Sequence, residues 1–265
     1  MIFDTHAHYD DEAFDADREA LLASLPEAGI GAVVNVGASL ESTERSLDLA
    51  ARYPFIYAAA GVHPSECGEM KEADIERLKE AAAGEKTVAI GEIGLDYYWD
   101  EPDRKIQKKW FDRQLFLAKE VQLPVIIHSR DAAQDTLEMM KAAHAGDIGG
   151  VIHCFSYGKE MAREYLNMGF FLGIGGVVTF QNGRKLKEVV EYAPLSSIVL
   201  ETDCPYLSPV PLRGKRNSSR NLPYVADMIC QLKGIDRETL ERVTWQNALR
   251  LYRLPQNTEN AALKY

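Results

Sequence analysis

Eight short apolar segments, separated by amphipathic stretches, restrict the possible folds of this chain more than any other feature of its sequence. They cover residues 2–6, 32–36, 56–61, 87–93, 125–128, 150–153, 170–174 and 197–201. Between them apolar residues recur at helical spacing, for example over residues 103–121 and 132–143. Apolar runs bracketed by helices are typical of buried parallel strands. Eight such units predict an α/β fold, namely a (β/α)8 TIM barrel.

The same pattern indicates a single domain. Two further helices are predicted at residues 222–233 and 236–252, after the eighth apolar segment. No stretch rich in Gly, Ser or Pro divides the chain, and barrels of this class commonly reach this length as one unit. We therefore expect one domain over residues 1–254 with extra C-terminal helices. Residues 255–265 carry little apolar pattern and are expected to form a loose tail.

Charge and cysteine usage limit the classes of partner. The chain has 30 Lys and Arg residues against 40 Asp and Glu residues, which argues against nonspecific coating of duplex DNA, because phosphate affinity comes from basic side chains. No apolar run is long enough for a membrane span, and the first residues lack a secretory-signal pattern. The four cysteines form no C-x-x-C pair and are typical of reduced thiols, so we expect a cytoplasmic protein with no membrane partner.

Imidazoles and carboxylates stand at the ends of the apolar segments. His6 and His8 form an H-x-H pair, and side chains two residues apart on a strand point the same way. The other candidates end or follow the fourth, fifth, sixth and eighth segments; they are Glu92, His128, His153 and Asp203. Because the carboxyl ends of barrel strands converge on one face, these six side chains are predicted to meet there. An H-x-H pair alone would equally suit two surface or core histidines.

Six such groups predict a metal centre. In our interpretation Glu92 bridges two divalent ions, with one ion held by His6, His8 and Asp203 and the other by His128 and His153. Two neighbouring ions share and acidify a water molecule. A single ion held by a subset of these residues is the simpler alternative. Mixed imidazole and carboxylate ligands suit Zn, Mn, Mg or Fe, and the sequence does not choose among them.

Three candidate residues have both a catalytic and a plain interpretation. Asp203 could serve as ligand only, or also as the general base that takes a proton from water. Glu201 could orient a ligating histidine, or simply end a strand. His63, which precedes Pro64 at the end of the third segment, could protonate the leaving oxygen, hold a phosphate oxygen, or be structural.

Basic and aromatic residues near these segments suggest contacts with a substrate. Arg130 could bind a phosphate or pair with a neighbouring carboxylate. Arg213 and Lys215 lie with Arg216 in an irregular connection, residues 204–221, which is a candidate active-site loop that could receive a phosphate backbone. The aromatic residues at 97–99 could stack on a base, but packing of the barrel rim is the more usual role and is the one we expect of Trp99.

At this point the chain resembles a known family, the TatD-type metal-dependent deoxyribonucleases of the amidohydrolase superfamily. The resemblance rests on DTHAH at residues 4–8, GVHP at 61–64, GEIGLD at 91–96, HSR at 128–130, HCFS at 153–156 and ETDCP at 201–205. It covers residues 2 to about 254, with the motifs in family order. It implies a two-metal barrel of the metallo-dependent hydrolase type, acting on phosphodiesters, with the six ligands named above.

One segment departs from the family pattern. PLRGKRN at residues 211–217 fits the pattern that the family places after the eighth strand, but five further residues precede Pro223 and Tyr224. The substrate contacts of this loop are therefore less defined by the resemblance than the metal ligands are.

The resulting hypothesis is a DNase that cleaves phosphodiester bonds, at single-stranded or terminal nucleotides, with a metal-activated water. The first alternative is an amide or ester hydrolase of the same superfamily, including one that cleaves aminoacyl-tRNA esters, because metal-activated water attacks carbonyl and phosphoryl centres alike. The second is a non-catalytic metal-binding protein. The sequence does not define the oligomeric state, for which a monomer is the default expectation.

Overall fold

Eight parallel strands follow one another around a barrel in the computed structural model, which describes residues 1–255. Each strand pairs with the next one in the chain, in the order β1 to β8. The strands are β1 (Ile2–Ala7), β2 (Ile30–Val36), β3 (Ile56–Ala60), β4 (Thr87–Asp96), β5 (Val125–Arg130), β6 (Gly150–Ile152), β7 (Phe171–Ile174) and β8 (Ile198–Leu200). The predicted barrel is therefore confirmed.

Helices alternate with these strands, and two more follow the last strand. They are α1 (Arg18–Ser24), α2 (Leu40–Arg52), α3 (Glu72–Ala82), α4 (Arg104–Val121), α5 (Ala133–Ala142), α6 (Lys159–Asn167), α7 (Arg184–Tyr192), α8 (Leu222–Lys233) and α9 (Arg237–Leu251). None of the helices within residues 1–255 has both the length and the apolar character needed to cross a membrane. Of the tail predicted at 255–265, everything after Pro255 lies outside the described residues.

Strand lengths differ from the prediction where site residues are concerned. β4 extends beyond the predicted end because Gly94 and Asp96 still pair with His128 and Arg130 of β5. β6 and β8 end earlier than predicted, so His153 and Glu201 directly follow their strands.

The barrel closes between β1 and the segment after β8. Ala7 forms a parallel bridge with Cys204, and the backbone N–H of His8 donates to the Cys204 carbonyl over 2.8 Å. Lower in the same seam the Thr5 hydroxyl donates to the Leu200 carbonyl over 3.0 Å. These bonds hold residues 201–204 beside β1 and thereby place Asp203 next to the H-x-H pair.

The helix α9 covers the amino-terminal end of the barrel. Its Trp245 packs against Phe3 of β1, with ring centroids 5.5 Å apart. A Cβ at Gly31, near the start of β2, would lie only 2.8 Å from the indole, so this position requires glycine. The Asn247 side-chain amide donates to the Ile198 carbonyl at the start of β8 over 2.7 Å. The barrel is thus closed with apolar packing at one end, which leaves the other end for a site.

Candidate metal centre

A cavity of about 850 Å³ opens at the carboxyl ends of the strands. Its walls include Glu92 from β4, His128 from β5, His153 after β6 and Asp203 after β8. This is the size of a typical small-molecule site. The strand ends therefore converge on one pocket, as the barrel geometry requires.

The first donor group consists of His6, His8 and Asp203. The Nε2 atoms of the two histidines lie 3.0 Å apart, and Asp203 Oδ1 lies 3.4 Å from His8 Nε2 and 3.7 Å from His6 Nε2. The His8 Nδ1 atom donates to the Val36 carbonyl over 2.9 Å, which places a ring proton there and turns Nε2 toward the other donor atoms. Ligand atoms about 2.0–2.1 Å from one ion are separated by distances of this size. The group therefore has the dimensions of a cation site.

The second donor group consists of His128 and His153. Both face the same oxygen of Glu92, with His128 Nδ1 at 2.7 Å and His153 Nε2 at 2.8 Å from Oε1. The two histidine nitrogens are 3.3 Å apart. Three donor atoms from three different strands or strand ends thus point at one small volume.

Glu92 lies between the two donor groups. Its Oε1 faces the second group, whereas its Oε2 lies 3.3 Å from His6 Nε2 and 3.7 Å from His8 Nε2 of the first. Burial raises the pKa of this carboxyl, but His153, His6 and His128 beside it together outweigh that effect and hold the pKa well below its usual range. An ionised carboxylate, 3% exposed, with one oxygen toward each group is the arrangement that a bridging ligand needs.

The first donor group also keeps its acid ionised. Burial raises the pKa of Asp203, but the neighbouring His8, His153 and His6 together outweigh it, so the pKa is lowered. Burial, followed by the neighbouring His153, lowers the pKa of His6 to about 4, which leaves that imidazole neutral. Buried anions beside this neutral imidazole favour a bound cation.

The buried imidazole atoms His6 Nδ1 and His153 Nδ1 have no hydrogen-bond partner among the described residues, and neither does Glu201 Oε2. Unpaired buried polar atoms are uncommon in folded proteins. If Nε2 of each ring held an ion, Nδ1 would carry the proton, and Glu201, which has an oxygen within 4.8 Å of a nitrogen of each ring, would supply an acceptor. The orphaned atoms therefore fit a metal-loaded centre.

Glu201 lies beneath both donor groups. It is fully buried, its Oε1 accepts the backbone N–H of Cys154, and the same oxygen is 3.7 Å from His153 Nδ1. One donor atom each from His6, His153 and Glu201 falls within 4.8 Å of the others. The interpretation of Glu201 as a residue that orients histidines thus has a geometric basis, and it extends to both groups.

His63 faces the same Glu92 oxygen from the end of β3. Its Nε2 lies 3.8 Å from Oε1, and its Nδ1 accepts the backbone N–H of Ser65 over 3.1 Å. An accepting Nδ1 places the proton of a neutral imidazole on Nε2. Burial, followed by His128, lowers the pKa of His63 to about 3, so the ring is neutral and presents an N–H donor to the cavity.

Asp96 is a site residue that the sequence analysis missed. Its Oδ2 lies 3.1 Å from His128 Nε2, which leaves Nδ1 of that ring for Glu92 and an ion. The available signal was the strand period, because Glu92 and Asp96 are four residues apart on β4 and therefore on the same face. The strand was predicted to end at Ile93, and that error hid the signal.

Backbone conformation contributes to the position of Asp203. Its φ is +57°, in the left-handed region that aspartate tolerates better than most residues. The backbone N–H of Asp203 donates to the His6 carbonyl over 2.9 Å. The turn that closes the barrel thus also directs this carboxylate toward the first donor group. Cys154, next to His153, has a φ of +44°, and burial raises the pKa of its thiol well above its usual range, so the thiol is a poor nucleophile at neutral pH.

Two of the three candidate phosphate contacts lie outside this cavity. Arg130 lines it, but Arg213 and Lys215 line a smaller cavity of about 510 Å³ that adjoins it across Tyr206 and Leu207. The Arg213 guanidinium lies over the Phe180 ring at 4.1 Å. The side chains of Arg213 and Lys215 therefore lie beside the main cavity and do not line it.

The third basic residue of that loop, Arg216, also lines the smaller cavity, but its charge is paired with a carboxylate. Arg216 forms an ion pair with Asp17 over 2.6 Å and donates to the Ala13 carbonyl. The Arg216 charge is therefore paired with the carboxylate of the residue that directly precedes α1.

The expectation that Trp99 packs the barrel rim is wrong. Its side chain is 57% exposed and lines the main cavity, and the neighbouring Tyr98 is 54% exposed. The two rings contact each other edge to face at a centroid distance of 4.7 Å. The Arg130 guanidinium lies 3.7 Å from the Tyr98 ring centroid, which is a different contact from the carboxylate pair considered above.

Fold and site together define a barrel hydrolase that depends on metal ions. The profile of the family described as TatD related DNase matches residues 3–253. An uncharacterized metal-dependent hydrolase of Bacillus subtilis, YabD, is 45% identical over 96% of this chain and 100% of its own length. Another from Escherichia coli, YcfH, is 35% identical over 96% of each chain. The chain belongs to the TatD family of metal-dependent hydrolases, which confirms the resemblance.

A solved structure gives the same result for the fold. The TatD homolog YjjV from Escherichia coli superimposes with a TM-score of 0.91 over 96% of this chain and 98% of that chain, at 32% identity. More distant barrels share the fold alone, such as the phosphotriesterase homology protein of Escherichia coli, at 14% identity over 95% of this chain and 98% of that chain with a TM-score of 0.67.

Proposed function

We propose that this protein hydrolyses phosphodiester bonds of DNA at unpaired strand ends, with two divalent ions held by His6, His8, Glu92, His128, His153 and Asp203. The observation that carries the proposal is the position of Glu92, which turns one carboxylate oxygen toward each donor group. The family description as a DNase supports the choice of substrate.

The residues around the ions have separate tasks. When bound, two divalent ions supply an acidified water and neutralise charge on phosphoryl oxygens. Asp203, ionised and open to the cavity, accepts the proton that this water loses. His63, with its proton on Nε2, donates to an oxygen of the scissile phosphate or to the leaving oxygen. Glu92 lies between the two donor groups and holds them at a fixed separation, with one carboxylate oxygen facing each group.

The shape of the cavity favours strand ends as substrates. A concave pocket of about 850 Å³ accommodates one or two nucleotides, whereas the middle of an intact duplex presents a convex surface. Arg130 on the wall supplies a cation for a phosphate next to the one that is cleaved.

The test is cleavage of end-labelled single-stranded DNA by the purified protein with Mn²⁺ or Mg²⁺. We expect cleavage that chelator abolishes and that Asp203→Asn lowers by at least about 100-fold. Asp147→Asn is the matched control, because Asp147 is an exposed carboxylate just before β6, at the opposite end of the barrel. Equal cleavage by both variants would identify a contaminant. An absence of cleavage, together with hydrolysis of an ester or amide, would replace the proposal with the carbonyl alternative.

A further inference from the structure

One wall of the cavity carries Trp99, which forms an aromatic pair with Tyr98 that the reaction itself does not use. Trp99 and Tyr98 lie in the connection between β4 and α4, and both are more than half exposed. The other two tryptophans of the chain, Trp110 and Trp245, are each 3% exposed. A large ring left in water forgoes the stabilisation that burial would give it, so an exposed indole in the mouth of a cavity is typical of a ligand contact.

This aromatic pair is held at a fixed place relative to the donor groups. The backbone N–H of Tyr98 donates to Asp96 Oδ1 over 2.9 Å, while the other oxygen of Asp96 contacts His128. Arg130 covers the Tyr98 ring on one side. Trp99 meets Tyr98 at an interplanar angle of 90°, so the Tyr98 ring is not stacked parallel to the indole. The indole therefore stands on the cavity wall, one short connection away from the second donor group.

We propose that Trp99 is a stacking platform for the base of an unpaired nucleotide whose phosphate lies at the metal centre, with Arg130 binding the adjacent phosphate. The proposal rests on the proposed function and specifies how it selects its substrate. Bases stack on aromatic side chains whatever their sequence, because every base has a flat π face. In a duplex both faces of an internal base are covered by its neighbours, so the platform selects single-stranded or frayed ends.

The charge pattern agrees with a nucleotide as the occupant. The deep part of the cavity carries the donor groups for cations, its wall carries Arg130, and Trp99 adds a flat apolar surface on the same wall. A phosphate, a second phosphate and a base are the three parts of a nucleotide that such surfaces recognise. A substrate without a ring, such as a simple ester, would leave the indole in water.

Tryptophan fluorescence provides the test, because Trp99 is the exposed indole and the other two are buried. The metal-loaded protein is titrated with a single-stranded phosphorothioate thymidine oligonucleotide and with an abasic strand of equal length. We expect the thymidine strand to protect fluorescence from acrylamide quenching and to bind roughly 5- to 150-fold more tightly than the abasic strand. Trp99→Ala should abolish that difference, measured by fluorescence anisotropy of labelled strands, and Trp99→Phe should restore part of it.

Phe116→Ala is the matched control, because Phe116 is a 60% exposed aromatic residue of α4 that does not line the cavity. Equal binding of both strands, no binding of either, or a base preference that survives in Trp99→Ala would overturn the platform. Hydrolysis assays separate the two proposals. If only the stacking proposal is wrong, Trp99→Ala still cleaves the strand with an unchanged KM. If only the proposed nuclease activity is wrong, the protein binds the thymidine strand more tightly than the abasic strand but cleaves neither.

Discussion

The two ends of the barrel use the same inward-facing strand positions for opposite purposes. Ile126 is packed in an apolar cluster with residues of α9, whereas His128, two residues further along the same face of β5, contacts Glu92. Val151 and His153 show the same change around the end of β6. A step of two residues along the chain thus separates a position that packs in the apolar cluster from a position that contacts Glu92. The comparison teaches that changes at the amino end should cost stability, and changes at the carboxyl end should cost metal binding and activity.

The largest expected effect is the loss of function without loss of fold in Glu92→Ala. Because this carboxylate faces both donor groups, its removal should release both ions and lower hydrolysis by at least about 1,000-fold. Elemental analysis should find less metal per chain, while circular dichroism stays that of the unchanged protein. Glu85→Ala, which removes an exposed carboxylate, serves as control. Full metal content in the Glu92 variant would contradict the assignment of the ligands.

The counterpart at the amino end is Trp245→Ala. Deleting this indole leaves a cavity against Phe3 and Gly31, so the free energy of unfolding should fall by about 3–5 kcal/mol. Urea denaturation measures that change, and metal per folded chain should stay the same. Trp99→Ala, at the exposed rim, should shift stability by less than about 0.5 kcal/mol. Loss of metal at low denaturant in the Trp245 variant would break the separation between the ends.

Glu201→Gln tests whether one buried carboxylate supports both donor groups. Since a carboxylate oxygen of Glu201 lies within 4.8 Å of a ring nitrogen of His6 and of His153, we expect the affinity for each of two ions to fall by about 10- to 100-fold. Calorimetric titration of the metal-free protein resolves the two binding steps. A loss confined to one step would restrict Glu201 to a single group, and unchanged binding would make it a residue of the barrel core.

The smallest effect is expected for Asp96→Asn. Of the ring nitrogens in the two donor groups, its carboxylate contacts only Nε2 of His128. The affinity for one ion should therefore fall by about 10-fold, while the affinity for the other ion stays unchanged. The same calorimetric titration compares it with Glu201→Gln. Equal weakening of both steps would show that the donor groups are coupled through Glu92 rather than supported separately.

The sequence predicted the barrel and the meeting of the six candidate ligands, because both follow from simple periodicities. Apolar runs define strands, and polar residues at their ends converge wherever parallel strands converge. Asp96 was missed because the local pattern did not show how far β4 extends. Glu201 was assigned to one histidine because no pattern in the sequence shows that His6 and His153 stack with centroids 3.9 Å apart.

Loop conformation was the harder part to predict. The exposure of Trp99 and the ion pair of Arg216 with Asp17 depend on how long connections fold over the rim, which periodicity does not describe. The same limit applies to Arg213 and Lys215. In the sequence they lie in the connection that follows Asp203, but in the structure they line a neighbouring cavity.

The seam between β1 and the segment after β8 has a consequence for biosynthesis. Its hydrogen bond from Thr5 to Leu200 joins residues 195 positions apart, and Asp203 lies in the same seam. A nascent chain on the ribosome therefore holds the H-x-H pair from the start but cannot complete the first donor group until residue 203 has emerged. A site that needs all three residues of the first donor group is therefore completed only after the eighth strand has been made, so a chain that lacks β8 also lacks this cation site.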